Sequence, residues 1–209
     1  MRSLLSLLFL IFLALPEPAE ASPEAVQESF LAYKKAVLEG NGAAAAELVT
    51  QGSKDLYHKY ANDAVTLDRD GLNKLHVTDR VSIMLLRHNL KRKELEGMSG
   101  GEIIAYAVDR GWVGKESVSR LELGDYQVDG NVATGTVLGA DGRRSPYKLQ
   151  FLKEAQRWRL DLVAMLMLTR TAIDYTIQQT GMAEDEFVLY VIEISSGQKP
   201  GPEIWNPLL

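Results

Sequence analysis

Apolar residues fall at helical intervals from Val26 onward, alternate after about residue 117, and return to the helical interval after Asp161. Ser22 followed by Pro23 is a start signal, a capping hydroxyl before proline at the first helical position. Val26, Phe30, Tyr33 and Val37 then share one face, and Gly40-Asn41-Gly42 stops the run. The spacing predicts helices over 23–39, 43–49, 54–66, 78–92 and 100–110. Ser53, Thr78 and Ser99 are the expected caps of the last three, and Asp68-Arg69-Asp70-Gly71 reads as a turn.

Between 117 and 161 the period is two. Val118, Leu121, Leu123 and Tyr126 stand among charged residues, and Tyr147, Leu149 and Phe151 alternate with Lys148 and Gln150. Asp129-Gly130-Asn131 and Asp141-Gly142 are hairpin turns, and Glu154-Ala155-Gln156 joins the last pair, so the expected sheet is an antiparallel meander of four strands. Trp158 and Phe151 are expected on its packed face. Two further amphipathic stripes, 162–181 and 184–196, follow before Pro200-Gly201-Pro202 breaks the chain. Both stripes are expected on the outer face of the sheet, with Ile204, Trp205 and Leu208 pinned to the body.

A leading helix with Phe30-Leu31-Ala32-Tyr33-Lys34-Lys35-Ala36 runs into Gly40-Asn41 and an alanine-rich segment, Ala43 to Val49. Hairpins ending in Phe151-Leu152-Lys153-Glu154 and Arg157-Trp158-Arg159-Leu160 come later. In this order of elements the chain resembles the nuclear transport factor two-like superfamily. The resemblance implies an α+β cone, in which N-terminal helices pack on a curved antiparallel sheet. It covers Pro23 to Leu162, so 22–162 is the expected cone domain and 163–209 an extra C-terminal helical extension and tail of the same domain. That family holds enzymes, ligand binders and interaction modules, so the likeness alone implies no activity.

Residues 1–21 carry a different signal. Arg2, the apolar run Leu4 to Leu15, and the small-x-small exit Ala19-Glu20-Ala21 have the form of a secretory signal peptide cut before Ser22. Twelve helical residues at about 1.5 Å each fall well short of a bilayer core of roughly 30 Å, so no membrane span is expected after cleavage. The expectation is an exported protein, periplasmic or secreted. Removing Arg2, Glu17 and Glu20 moves the net charge from −5 to −4, and a mildly acidic surface excludes nucleic acid as a partner. The chain has no cysteine, hence neither disulfides nor thiolate metal sites.

Motifs that suggest chemistry do not survive inspection. Gly97-Met98-Ser99-Gly100-Gly101 has the spacing of a hydrolase nucleophile elbow, but a charged segment precedes it and His58, His76 and His88 all come before the serine. A helix cap at Ser99 explains it better. Thr66-x-Asp68-x-Asp70-Gly71 opens like a calcium loop, yet Lys74 and Val77 occupy ligand positions. Ser145-x-x-Lys148 and Ser196-x-x-Lys199 lack the companion motifs of penicillin-recognising enzymes. No histidine pair has zinc spacing, so no catalytic residue, metal ligand or cofactor is assigned.

The expected function is therefore a non-catalytic envelope protein that binds a small apolar ligand or a protein partner in or around a cone-shaped cavity. The alternatives are an enzyme with an acid–base pair in the cone, or an assembly module docking through its C-terminal helices. A homodimer stays open. Tyr57, Trp112, Tyr147 and Met165 are the expected ligand-binding residues, because flat, flexible and polar-tipped side chains together suit a mostly apolar molecule.

Overall fold

The first helix begins and ends where Ser22 and Gly40 direct it. In the computed structural model, which describes residues 22–113 and 115–209, α1 is Pro23–Glu39. The Ser22 hydroxyl accepts from the Ala25 N–H at 3.3 Å, and Gly40 closes the helix at φ +67°. Val26, Phe30, Tyr33 and Val37 are all buried. The leader read from residues 1–21 lies outside the described residues.

Six more helices follow in turn: α2 (Gly42–Glu47), α3 (Gln51–Thr66), α4 (Arg69–Leu72), α5 (Val77–Asn89), α6 (Arg92–Leu95) and α7 (Gly100–Asp109). Two starts differ from the expected ones. Thr50, not Ser53, caps α3, because the Ser53 hydroxyl is taken by the Leu162 N–H at 2.9 Å and by the Thr50 hydroxyl at 2.7 Å. His76, not Thr78, caps α5, its Nδ1 accepting from the Thr78 N–H at 3.2 Å. Ser99 does cap α7, and Glu102 completes a capping box by accepting from the Ser99 N–H at 2.8 Å. Those bonds hold the Glu102 carboxyl below its usual pKa.

Helix α7 lies unusually close to α2 and α3. A Cβ on Gly100 would stand 1.7 Å from the Lys54 carbonyl oxygen, and one on Gly42 would stand 2.1 Å from that of Ala105. Gly100→Ala must push α7 off α3, and the expected cost is about 1–3 kcal/mol. A urea midpoint equal to that of the wild type would contradict the contact.

A further helical turn, α8 (Lys115–Arg120), occupies the start of the segment expected as the first strand. The correction has a local cause. Val118 and Leu121 are three apart, a spacing a helix also accepts, and Glu116 pairs with Arg120 one turn on. The strands are β1 (Glu122–Asp129), β2 (Val132–Leu138), β3 (Arg144–Glu154) and β4 (Arg157–Leu160), antiparallel and in sequence order. With ten helices and this four-stranded sheet among the described residues, the fold is α+β.

Register makes the sheet two-faced. Ala133 pairs with Phe151 and with Val128, and Phe151 pairs with Leu160, which sets an apolar row on one face. Phe151 is fully buried and Trp158 is 5% exposed. On the other face Thr134 pairs with Gln127 and Gln150, and Thr136 with Lys148. Residues of the apolar row share one core cluster with Phe30, Val37 and Ala45 of the first helices.

The C-terminal segments are α9 (Leu162–Thr180), α10 (Glu184–Ser196) and a short 3-10 turn, Pro202–Trp205. Helix α10 packs on α5, not on the outer face of the sheet as expected. That outer face is largely polar, whereas α4 and α5 present Leu72, Ile83 and Met84, which bury Val188 and Ile192 in a second core cluster. Helix α9 spans both, with Met165 and Leu168 against the first cluster and Leu166, Ile173 and Ile177 against the second. Arg80 ties α5 to Glu184 and, at 2.9 Å, to Asp185, which also binds Arg69 at 2.9 Å. None of the described helices is long and apolar enough to cross a membrane.

Ile204 and Trp205 are buried in the second cluster, and the Arg69 guanidinium sits 4.6 Å from the Trp205 ring centroid. Arg87 organises this corner. Its guanidinium donates to the carbonyls of Ala64 at 2.9 Å, Asp63 at 3.3 Å, Ile204 at 3.2 Å and also Leu67. It thus caps the end of α3 and holds the tail in one contact. Burial pulls its pKa down to about 10 against the opposing pull of Asp63, so it stays charged at neutral pH.

Candidate functional site

A cavity of about 190 Å³ lies between α3, α5, α7 and the segment just after α7. Its position follows from local sequence. Tyr57 and Tyr60, one turn apart on α3, face the same way, their rings 5.8 Å apart at 75°. Leu85 and Leu86 come from α5, and Ile103 and Ala107 from α7. Gly111, at φ +72°, then turns the chain back, and the Trp112 N–H donates to the Ala107 carbonyl at 2.9 Å. This return brings Trp112 to the cavity wall, where Tyr106 meets it edge-on at 5.4 Å and Arg110 stacks 5.1 Å from the Tyr106 ring.

Two of the polar groups around the cavity, Tyr60 and Ser82, are committed. The Tyr60 hydroxyl donates to Asp79 Oδ1 at 2.5 Å, and Arg170 from α9 grips the same carboxylate at 2.9 and 2.7 Å. Burial and the bond to Asp79 together raise the Tyr60 pKa far above its usual value. The Ser82 hydroxyl donates to the Thr78 carbonyl at 3.1 Å. The Tyr57 hydroxyl makes no hydrogen bond within the described residues, although burial raises its pKa. Tyr57 packs against both core clusters and so sits at their junction.

Of the four expected ligand residues, the structure brings Tyr57 and Trp112 to this cavity and leaves two elsewhere. Tyr147 is 48% exposed near the hairpin end of β3, beside the register shift between Thr136 and Leu138 of β2. Met165 is half-buried against the first cluster. Sequence reasoning passed over Tyr60, Ile103 and Ala107 as site residues. Tyr60 shares a helical face with Leu56 and Ala64, a spacing that by itself points only to a packed face.

A larger depression of about 580 Å³, lined by Lys54, Asp55, His58 and Glu102, is an open groove between α2, α3 and α7. Three of its charged groups have their own partners: Lys54 lies 3.5 Å from Glu47, Asp55 accepts from Gln51 at 2.8 Å, and Glu102 accepts from the Ser99 hydroxyl at 2.7 Å. Among the described residues no three His, Asp or Glu side chains gather as metal ligands would.

No protein-family model, characterised protein or solved structure matches this chain.

Proposed function

We propose that this protein is an exported, non-catalytic binding protein that holds a small apolar molecule in the cavity bounded by Tyr57 and Trp112. The observation that carries the reading is the lining itself. Aliphatic side chains from α5 and α7 and the rings of Tyr57, Tyr60 and Trp112 line the space, with an uncommitted hydroxyl at Tyr57. An apolar space of this size favours a ligand through dispersion and desolvation without any charged anchor. Export is supported by the leader pattern of residues 1–21.

The likeness to nuclear transport factor two-like cones belongs to the same proposal. Helices followed by a four-stranded meander support it, as do the register shifts in β1 and β2, since bulges bend strands. In this reading the ligand sits outside the cone, in the helical half of the molecule. An acid–base enzyme is less favoured, because no carboxylate is among the residues lining the cavity and Asp79, which Tyr60 reaches from it, is held by Arg170.

Native mass spectrometry of protein purified from its own envelope fraction tests both parts. The expected result is a chain beginning at Ser22 with a retained small mass, lost on substitution Ala107→Leu, which fills the cavity. A chain still carrying Met1, or one with no bound mass, counts against the reading.

One observation favours assembly as a second reading. Met167 and Tyr175 on α9 and Tyr190 and Ile194 on α10 are 52–63% exposed, more apolar surface than two solvent-facing helices need. Light scattering of the Tyr190→Glu, Ile194→Glu protein checks it, a shift to smaller mass being the supporting result.

A further inference from the structure

The cavity's chemistry narrows its ligand further than size alone. Its volume of about 190 Å³ is close to the roughly 150 Å³ that suffices for benzene in an apolar protein interior, so one ring with a short substituent fits and a fused multi-ring system does not. No Lys, Arg, Asp or Glu side chain lines it. An ion placed there would lose its hydration without gaining a counter-charge. The remaining question is polarity. Tyr60 and Ser82 have given their hydroxyl protons to Asp79 and to the Thr78 carbonyl. The Tyr57 hydroxyl and the Trp112 indole N–H make no hydrogen bond within the described residues. Both are donors, and neither is among the buried atoms that lack a partner, so each stays reachable by an acceptor.

We propose that the cavity takes an uncharged single-ring compound bearing one hydrogen-bond acceptor, a carbonyl or ether oxygen, which receives the Tyr57 hydroxyl proton as a hydrogen bond. The inference rests on the reading of this cavity as a ligand site. Trp112 supplies a flat wall for the ring, held in place by the edge of Tyr106. The acceptor fixes the orientation of the ring, and the aliphatic side chains of α5 and α7 supply most of the affinity.

Titration calorimetry of the purified protein with acetophenone, toluene and benzoate at neutral pH separates the two levels of the claim. Acetophenone should bind saturably, toluene about tenfold more weakly for want of the acceptor, and benzoate not at all. Tyr57→Phe keeps the ring and removes the donor, so it should bring acetophenone down to the level of toluene while leaving toluene unchanged. Equal binding of toluene and acetophenone to the wild type, or an unchanged preference in Tyr57→Phe, overturns the acceptor assignment and leaves the cavity reading standing. Benzoate as the tightest of the three overturns the uncharged class. Binding of none of the three overturns the cavity reading itself.

Discussion

Trp158→Ala should lower the stability of the protein by about 3–5 kcal/mol, the range for truncating a buried large aromatic. Trp158 is 5% exposed on β4, directly opposite Lys153 of β3, whose ammonium lies 6.0 Å from the ring centroid. Its backbone carbonyl also accepts from the Ser29 hydroxyl at 2.7 Å, tying β4 to α1. The indole therefore fills the seam between the first helix and the last strand. Its N–H is buried without a partner, so Trp158→Phe, which removes that group and keeps most of the ring, should cost far less than the alanine change. Thermal unfolding of the two variants checks this ordering. An unchanged melting temperature in Trp158→Ala would contradict the packing of α1 on β4.

Arg87→Met should be comparably damaging, about 3 kcal/mol or more, although it keeps the alkyl stem and adds no cavity. The loss comes from four carbonyls, on Asp63, Ala64, Leu67 and Ile204, that share this guanidinium. Deleting residues 200–209 removes Ile204 and Trp205 from the second core cluster and should cost several kcal/mol, about 25 cal/mol for each Å² of apolar surface uncovered. Because Arg87 and the tail act through one contact, the combined variant should lose less than the sum of the two. Chemical denaturation of the three proteins measures this, and strict additivity would show that the tail docks independently of Arg87.

The parts of the fold legible in the sequence were those whose signals are local. Ser22-Pro23 and Gly40 bound α1, Ser99 with Glu102 starts α7, and Gly130 and Gly142 mark two hairpins, all through φ preferences and capping within a few residues. The misplaced starts have distant causes. Thr50 and Ser53 can both cap a helix, and the choice falls to Thr50 because Ser53 is bonded to Leu162 across the fold. Helix α10 packs on α5 and not on the sheet; periodicity shows that a face must be buried but not which neighbour will bury it. The same limit applies to the cavity. Trp112 was legible as an aromatic at the change of period and Tyr57 as an aromatic on a helix, but their meeting depends on α5 and α7 closing over α3. Tyr147 and Met165 have side chains of the same kind, but the fold leaves them in places they do not share with Tyr57.

The central claim is that a small apolar molecule binds among α3, α5 and α7, and methyl-resolved NMR during titration with acetophenone tests it most directly. The account predicts saturable shifts at Leu85, Leu86 and Ile103, which line the cavity, with Ala133 and Leu149 on the packed face of the sheet unmoved. Shifts centred on Ala133 and Leu149, or none that saturate, would contradict it.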